Sequence, residues 1–121
     1  MESMTTPLPY RLAAAIGALF CAMAVGLGAY AAHGVEGLAQ SRLQTASLYL
    51  FLHGLALAVF ALRHRGALFA SAFSCWLVGC VAFCGSLVAA ALWQASPMAA
   101  PFGGMAFMLG WLLLVIAMLR E

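Results

Sequence analysis

The sequence of 121 residues predicts an all-α, polytopic membrane protein: four transmembrane helices in a compact bundle, forming one domain over residues 1–121. Three observations lead there. The chain is 67% hydrophobic and 7% charged, with a mean hydropathy of +1.09, where a soluble domain is about half apolar and about a quarter charged. Its charged side chains are five arginines and three glutamates, with no lysine and no aspartate, too few to cover a water-soluble globule. The apolar residues also fall into four runs of the roughly 20 residues needed to cross about 30 Å of hydrocarbon. A water-soluble fold is excluded. Nucleic acid is excluded as a partner, because phosphate binding needs clustered basic residues and none are clustered here. The expected surroundings are a lipid bilayer.

The first helix is predicted over about residues 12–32. Ala29, Tyr30 and Ala31 form an A-x-A pattern, but the apolar run exceeds the usual 7 to 15 residues of a secretion signal and only Arg11 precedes it. Phe20 before Cys21 is too bulky for a lipoprotein-type cleavage site, so this segment is expected to stay as a span. Gly34, Glu36, Gly37, Gln40, Ser41 and Arg42 then break the pattern, and the second helix follows over 43–62. Arg63, His64, Arg65 and Gly66 precede the third, over 67–93. Ser96, Pro97 and Pro101 precede the fourth, over 102–119.

An even number of spans puts both ends and the middle loop on one side. That side carries Arg11, Arg63, Arg65 and Arg120, against Arg42 alone on the other, so both termini are expected in the cytoplasm. Tyr10 and Trp93 suit interfacial anchors, whereas Trp76 and Trp111 lie deeper, as bulky packing or lipid-facing residues. Small residues four apart, which let helices approach closely in lipid, occur at Ala13 and Gly17, Ala22 and Gly26, Gly28 and Ala32, Ser86 and Ala90, and Ala106 and Gly110. They predict a tight bundle without fixing any one crossing.

Polar groups inside a bilayer are expensive, so each is a candidate site. His33 ends the first helix, and Tyr49 and His53 share a face of the second. Counted from residue 43, His53 lies roughly 15 Å deep, near mid-bilayer. Ser86 lies seven residues below Trp93, which places it within a turn of Tyr49 and His53. His33, Tyr49, His53 and Ser86 are therefore the candidate polar cluster. Its plainest role is to tie helices together, each bond being worth about 0.6 to 2 kcal/mol. A proton relay or a histidine-bound metal is the sharper alternative, although about 15 Å of depth separates His33 from His53 and argues against shared haem ligation.

Cys21, Cys80 and Cys84 fall near the depth of His53, where a soft-metal cluster can be drawn. The spacing of Cys75, Cys80 and Cys84 does not match C-x-x-C, and packing cysteines are the expectation, with no metal and no cofactor. Glu36 and Arg42 are a candidate charged pair in the outer loop, of little energetic value at a surface. His64, between Arg63 and Arg65, reads as a solvated loop residue. No G-x-S-x-G, phosphate-binding loop, H-E-x-x-H or paired carboxylate occurs, so hydrolase and nucleotide-driven chemistry lack their residues.

Leu27 through His33, Gln44 through Ala46, Tyr49 through His53, Phe83 through Leu87, Pro101 through Gly104, and Gly110 with Trp111 together resemble the YgdD-like family of small membrane proteins. The family is catalogued as domain of unknown function 423, with transmembrane protein 256 as a eukaryotic relative. Its pattern is similar to L-G-A-F-G-A-H, T-x-x-x-Y-x-x-x-H, F-S-G-S-L and T-P-x-G-G, and the resemblance spans about residues 12 to 119. Its recurrent polar positions carry over to His33, Tyr49, His53 and Ser86. This chain departs at Ala31, Cys84 and Ala100, where glycine, serine and threonine are usual, so Cys84 stands in for a small residue. The resemblance implies a multi-pass protein of the bacterial inner membrane without an established activity.

The expected function is therefore a non-enzymatic accessory or structural subunit, with a second copy or another membrane protein as partner. The alternatives are a small transporter or channel with a proton- or ion-sensitive His53, and a metal-binding or redox subunit. Small multidrug transporters share the length and helix count, but they use a carboxylate in the first helix and this chain has none.

Overall fold

A computed structural model describes residues 5–121; residues 1–4 of the expected domain lie outside them. Four helices, each long and apolar enough to cross a membrane, run up and down in sequence: Leu8–His33, Gly37–Phe60, Ala67–Trp93 and Ala100–Leu119. The third is α-helical over Ala67–Gly79, widens into a π-helical turn over Cys80–Cys84 and returns to α over Gly85–Trp93. No strand occurs among the described residues.

Two boundaries differ from expectation for definite physical reasons. The first helix opens at Leu8, not residue 12, because Pro7 caps it and Pro9 sits in the first turn, where a missing N–H leaves no bond unmade. The second opens at Gly37, six residues before the expected start at 43. Gln40, Ser41 and Arg42 are polar without being helix breakers, and they form the first turns of that helix. The true link is only Gly34, Val35 and Glu36, closed by Gly37 in the left-handed region at φ 67°, where glycine has no steric penalty.

The first and second helices meet along a seven-residue repeat. Gly17 faces Gly54, and a Cβ built on Gly17 would lie 2.7 Å from Leu57 Cβ, while one on Gly54 would lie 2.7 Å from the Gly17 carbonyl oxygen. One heptad further on, the Ser47 hydroxyl donates to the Ala24 carbonyl at 2.7 Å. One more heptad on, the Gln40 amide donates to the Ala31 carbonyl at 2.9 Å, satisfying an acceptor in the last turn of the first helix. Positions 17, 24 and 31 thus run against 54, 47 and 40, the repeat of a left-handed helix pair.

The third and fourth helices interlock differently, ring into glycine. Trp76 occupies the space over Gly110, Phe107 the space over Gly79, and Phe83 the space over Gly103. Each helix supplies both knobs and holes, at steps of three and four residues, so sliding the pair by one residue would drive rings into backbone. Trp76 is fully buried, and Phe73 and Phe107 are nearly so. The second helix lies against the C-terminal half of the third, while the first rests chiefly on the second. Tyr10 ties the ends together: the Gly66 N–H, at the start of the third helix, donates to its hydroxyl at 3.1 Å.

These contacts make specific demands. Gly17→Leu is expected to lower stability by about 1 to 3 kcal/mol through overpacking, measured by thermal unfolding in detergent. Gly26→Leu should leave the melting temperature unchanged, since a Cβ there meets nothing within 4 Å. Ser47→Ala removes one interhelical bond and should cost about 0.6 kcal/mol in the same assay.

Candidate functional site

His53 is the one buried polar side chain among the described residues, 4% exposed. The second helix turns it toward the third and fourth. Its Nδ1 lies 2.8 Å from the Tyr49 carbonyl oxygen one turn earlier, and its Nε2 lies 3.0 Å from the Trp111 indole nitrogen. An indole N–H can only donate and a carbonyl can only accept. The imidazole is therefore neutral, with its proton on Nδ1 and its Nε2 lone pair taken by Trp111. Both ring nitrogens are engaged.

Aromatic rings enclose the imidazole. Phe107 stacks on it at 3.7 Å between centroids and 16° between planes. Trp111 and Trp76 meet it edge-on at 5.8 and 6.3 Å, and pack on each other at 4.5 Å. Tyr49 is parallel to His53 and to Phe107, with Phe83 tilted against it at 4.9 Å. These rings bridge the second and fourth helices, whose backbones stay apart, and the gap is a shallow groove of about 370 Å³ beside Tyr49, His53 and Trp111. The Trp76 indole N–H is buried against Gly110 with no hydrogen-bond acceptor.

The structure brings together only part of the expected cluster. Tyr49 and His53 share the site, but Ser86 and His33 do not join it. His53 is level with Trp76 and Tyr49 with Phe83, so Ser86, ten residues beyond Trp76, lies about 15 Å further along the third helix than His53. The expected level was wrong because depth on the second helix was counted from residue 43. Its actual start at Gly37 lies about 9 Å further out. His53 accordingly sits only seven residues, about 10 Å, before the end of its helix at Phe60. His33 is exposed at the end of the first helix.

Other expectations are corrected in the same way. Among the described residues no ion pair joins Glu36 to Arg42; Glu36 is the exposed residue before the second helix, and Gln40 makes the interhelical bond instead. His64 is half-buried, stacked on Phe69 at 4.5 Å, with its Nδ1 3.6 Å from the Glu121 carboxylate. All four cysteines are free, Cys80 and Cys84 being buried in the π-helical turn. No three histidine, cysteine, aspartate or glutamate side chains among the described residues meet as a metal-ligand set.

Sequence reasoning missed Phe107, Trp111 and Ser47 as site or interface residues. A spacing signal existed for Ser47, one heptad from Gln40 and from Gly54. Trp111 gave none beyond its position next to Gly110, because only the fold sets its indole opposite an imidazole.

Comparison with known proteins bears on this geometry. The family model described as "Protein of unknown function (DUF423)" matches residues 27–104. The UPF0382 membrane protein SERP0230 of Staphylococcus epidermidis is 41% identical over 113 residues, covering 87% of this chain and 93% of that one. The UPF0382 membrane protein YwdK of Bacillus subtilis is 36% identical over 115 residues, covering 87% and 94%. The UPF0382 membrane protein SAB0533 of Staphylococcus aureus is 34% identical over 110 residues, covering 84% and 90%. No solved structure matches the chain. The matched segment includes Tyr49, His53, Phe83 and Gly103, and with relatives similar along nearly their whole length, the chain belongs to the DUF423 family of small membrane proteins of unknown function.

Proposed function

We propose that this protein is a non-enzymatic accessory or structural component of the bacterial inner membrane, with both termini cytoplasmic. One observation supports this reading above the others: the imidazole of His53, the one buried polar side chain among the described residues, has both nitrogens hydrogen-bonded. A proton carrier must present a free lone pair to one side and release a proton to the other. Here a second proton on the ring would have to displace the Trp111 N–H, and aromatic rings pack around the imidazole. His53 acts instead as a joint, holding the second helix to the fourth through one hydrogen bond and one stacked ring. The four-to-one arginine distribution supports the orientation, and an outer surface rich in exposed aliphatic, methionine and aromatic side chains suits contact with lipid and with other membrane proteins.

Three results are expected. Trp111→Phe keeps a ring but removes the donor, leaving the His53 Nε2 buried without a partner. A stability loss of about 1 to 3 kcal/mol should follow, read by thermal unfolding in detergent. In reconstituted vesicles, proton flux should be indistinguishable from that of empty vesicles, for the natural protein and for His53→Gln alike. A flux present in the natural protein and lost in His53→Gln would instead support the transporter reading. Reporter fusions at the two ends should both report the cytoplasm, and opposite compartments for the two would refute the orientation.

A further inference from the structure

The first helix rests chiefly on the second, so its other side does not close against the third. Between them runs a groove of about 430 Å³. Phe20, Met23 and Leu27 of the first helix form one wall, with Val81, Gly85 and Val88 of the third opposite. Its side chains carry no charge, and apart from the thiols of Cys80 and Cys84, the Met23 thioether and the indole N–H of Trp93 at one end, they are hydrocarbon. Gly85 is exposed on the groove wall, and a Cβ there would meet nothing of the protein within 4 Å.

The dimensions limit what can enter. From Val81 to Trp93 the third helix rises about 18 Å, close to the depth of one leaflet, half of a hydrocarbon core of about 30 Å. A second protein helix, about 10 Å across and of that length, would displace several times the volume of the groove. The occupant is therefore a slender apolar chain. Trp93, 73% exposed at the end of the third helix, lines the groove at the level where tryptophan anchors a protein to the headgroup region.

We propose that this groove holds one acyl chain of a phospholipid whose headgroup lies beside Trp93. The chain packs where a fifth hydrocarbon surface is missing between the first and third helices, and Gly85 keeps its path open. The gain is contact, not escape from water, since the chain exchanges one hydrocarbon setting for another.

The full chain can be reconstituted in vesicles of phosphatidylglycerol and phosphatidylethanolamine that include a phospholipid with a diazirine midway along one acyl chain. After illumination, peptide mass spectrometry should place adducts preferentially on Phe20, Met23, Leu27, Val81 and Val88. Gly85→Leu and, independently, Met23→Trp should each reduce groove adducts about tenfold, while adducts on the outward Met108 and Leu112 stay constant. Thermal unfolding confirms that each variant is folded, and Met23→Trp serves alone if Gly85→Leu is not. Adducts spread evenly over all outward faces, or groove labelling indifferent to the substitutions, would overturn the proposal. Cross-links between two copies of the chain through groove residues would overturn it in favour of a dimer interface.

Discussion

Helices surrounded by lipid gain nothing from hiding aliphatic surface, because the lipid tails are as apolar as leucine. What remains to hold this bundle is distance: how closely two backbones or a ring and a backbone can approach before atoms collide. The glycines set that distance. Gly17 and Gly54 let the first two helices touch backbone to backbone, near enough for Ser47 and Gln40 to reach carbonyls of the opposite helix. Gly79, Gly103 and Gly110 make hollows of the right depth for rings, and the large side chains that fill them fix register as well as separation. Dispersion is weak per contact and large in sum, so a bundle built this way depends on shape far more than on apolar content.

The two halves solve the same problem by opposite means, and the polar joint lies where they meet. The first pair uses small residues on both helices; the second pair sets aromatic rings against glycine. Between the second and fourth helices neither device operates, since their backbones are held apart by the ring layer around Phe107. His53 fills that gap as a flat side chain that stacks like phenylalanine and also accepts the Trp111 N–H. A phenylalanine there would leave the indole without an acceptor in a medium that has no water to replace it. Histidine is thus explained at this depth by packing and hydrogen bonding together, without any change of charge.

Much of the architecture was legible because apolar runs of membrane-spanning length are a composition signal, and arginine placement needs no tertiary information. The bundle's interior was not. Small residues four apart mark Gly17 and Gly110, which do pack closely, but equally Gly26, which faces open space, and the first interface follows positions 17, 24 and 31, seven apart. Abundant alanine and glycine make a four-residue spacing common by chance, whereas a sustained heptad on two antiparallel segments is rarer and carries the register. Depth and a shared helix face identify Tyr49 and His53 but not their neighbours, because polar residues do not mark the end of the second helix. Gln40 through Arg42 show why: at a membrane surface a helix continues into polar sequence, and the boundary of hydrophobicity is not the boundary of helix.

The π-helical turn explains how one helix can serve two different neighbours. A π-helical turn inserts one extra residue into a regular α-helix, and one residue corresponds to about 100° of rotation around the axis. Before the turn, Trp76 and Gly79 point at the fourth helix; beyond it, the Gly85–Trp93 segment lies against the second. A straight α-helix would carry a single stripe along its length and could satisfy one of those neighbours only at the expense of the other. The change of phase at Cys80–Cys84 follows Trp76 and the His53 joint, and the turn itself still sets Phe83 over Gly103 of the fourth helix. The lipid-facing groove, whose wall includes Val81 and Gly85, begins where the helix turns away from the fourth.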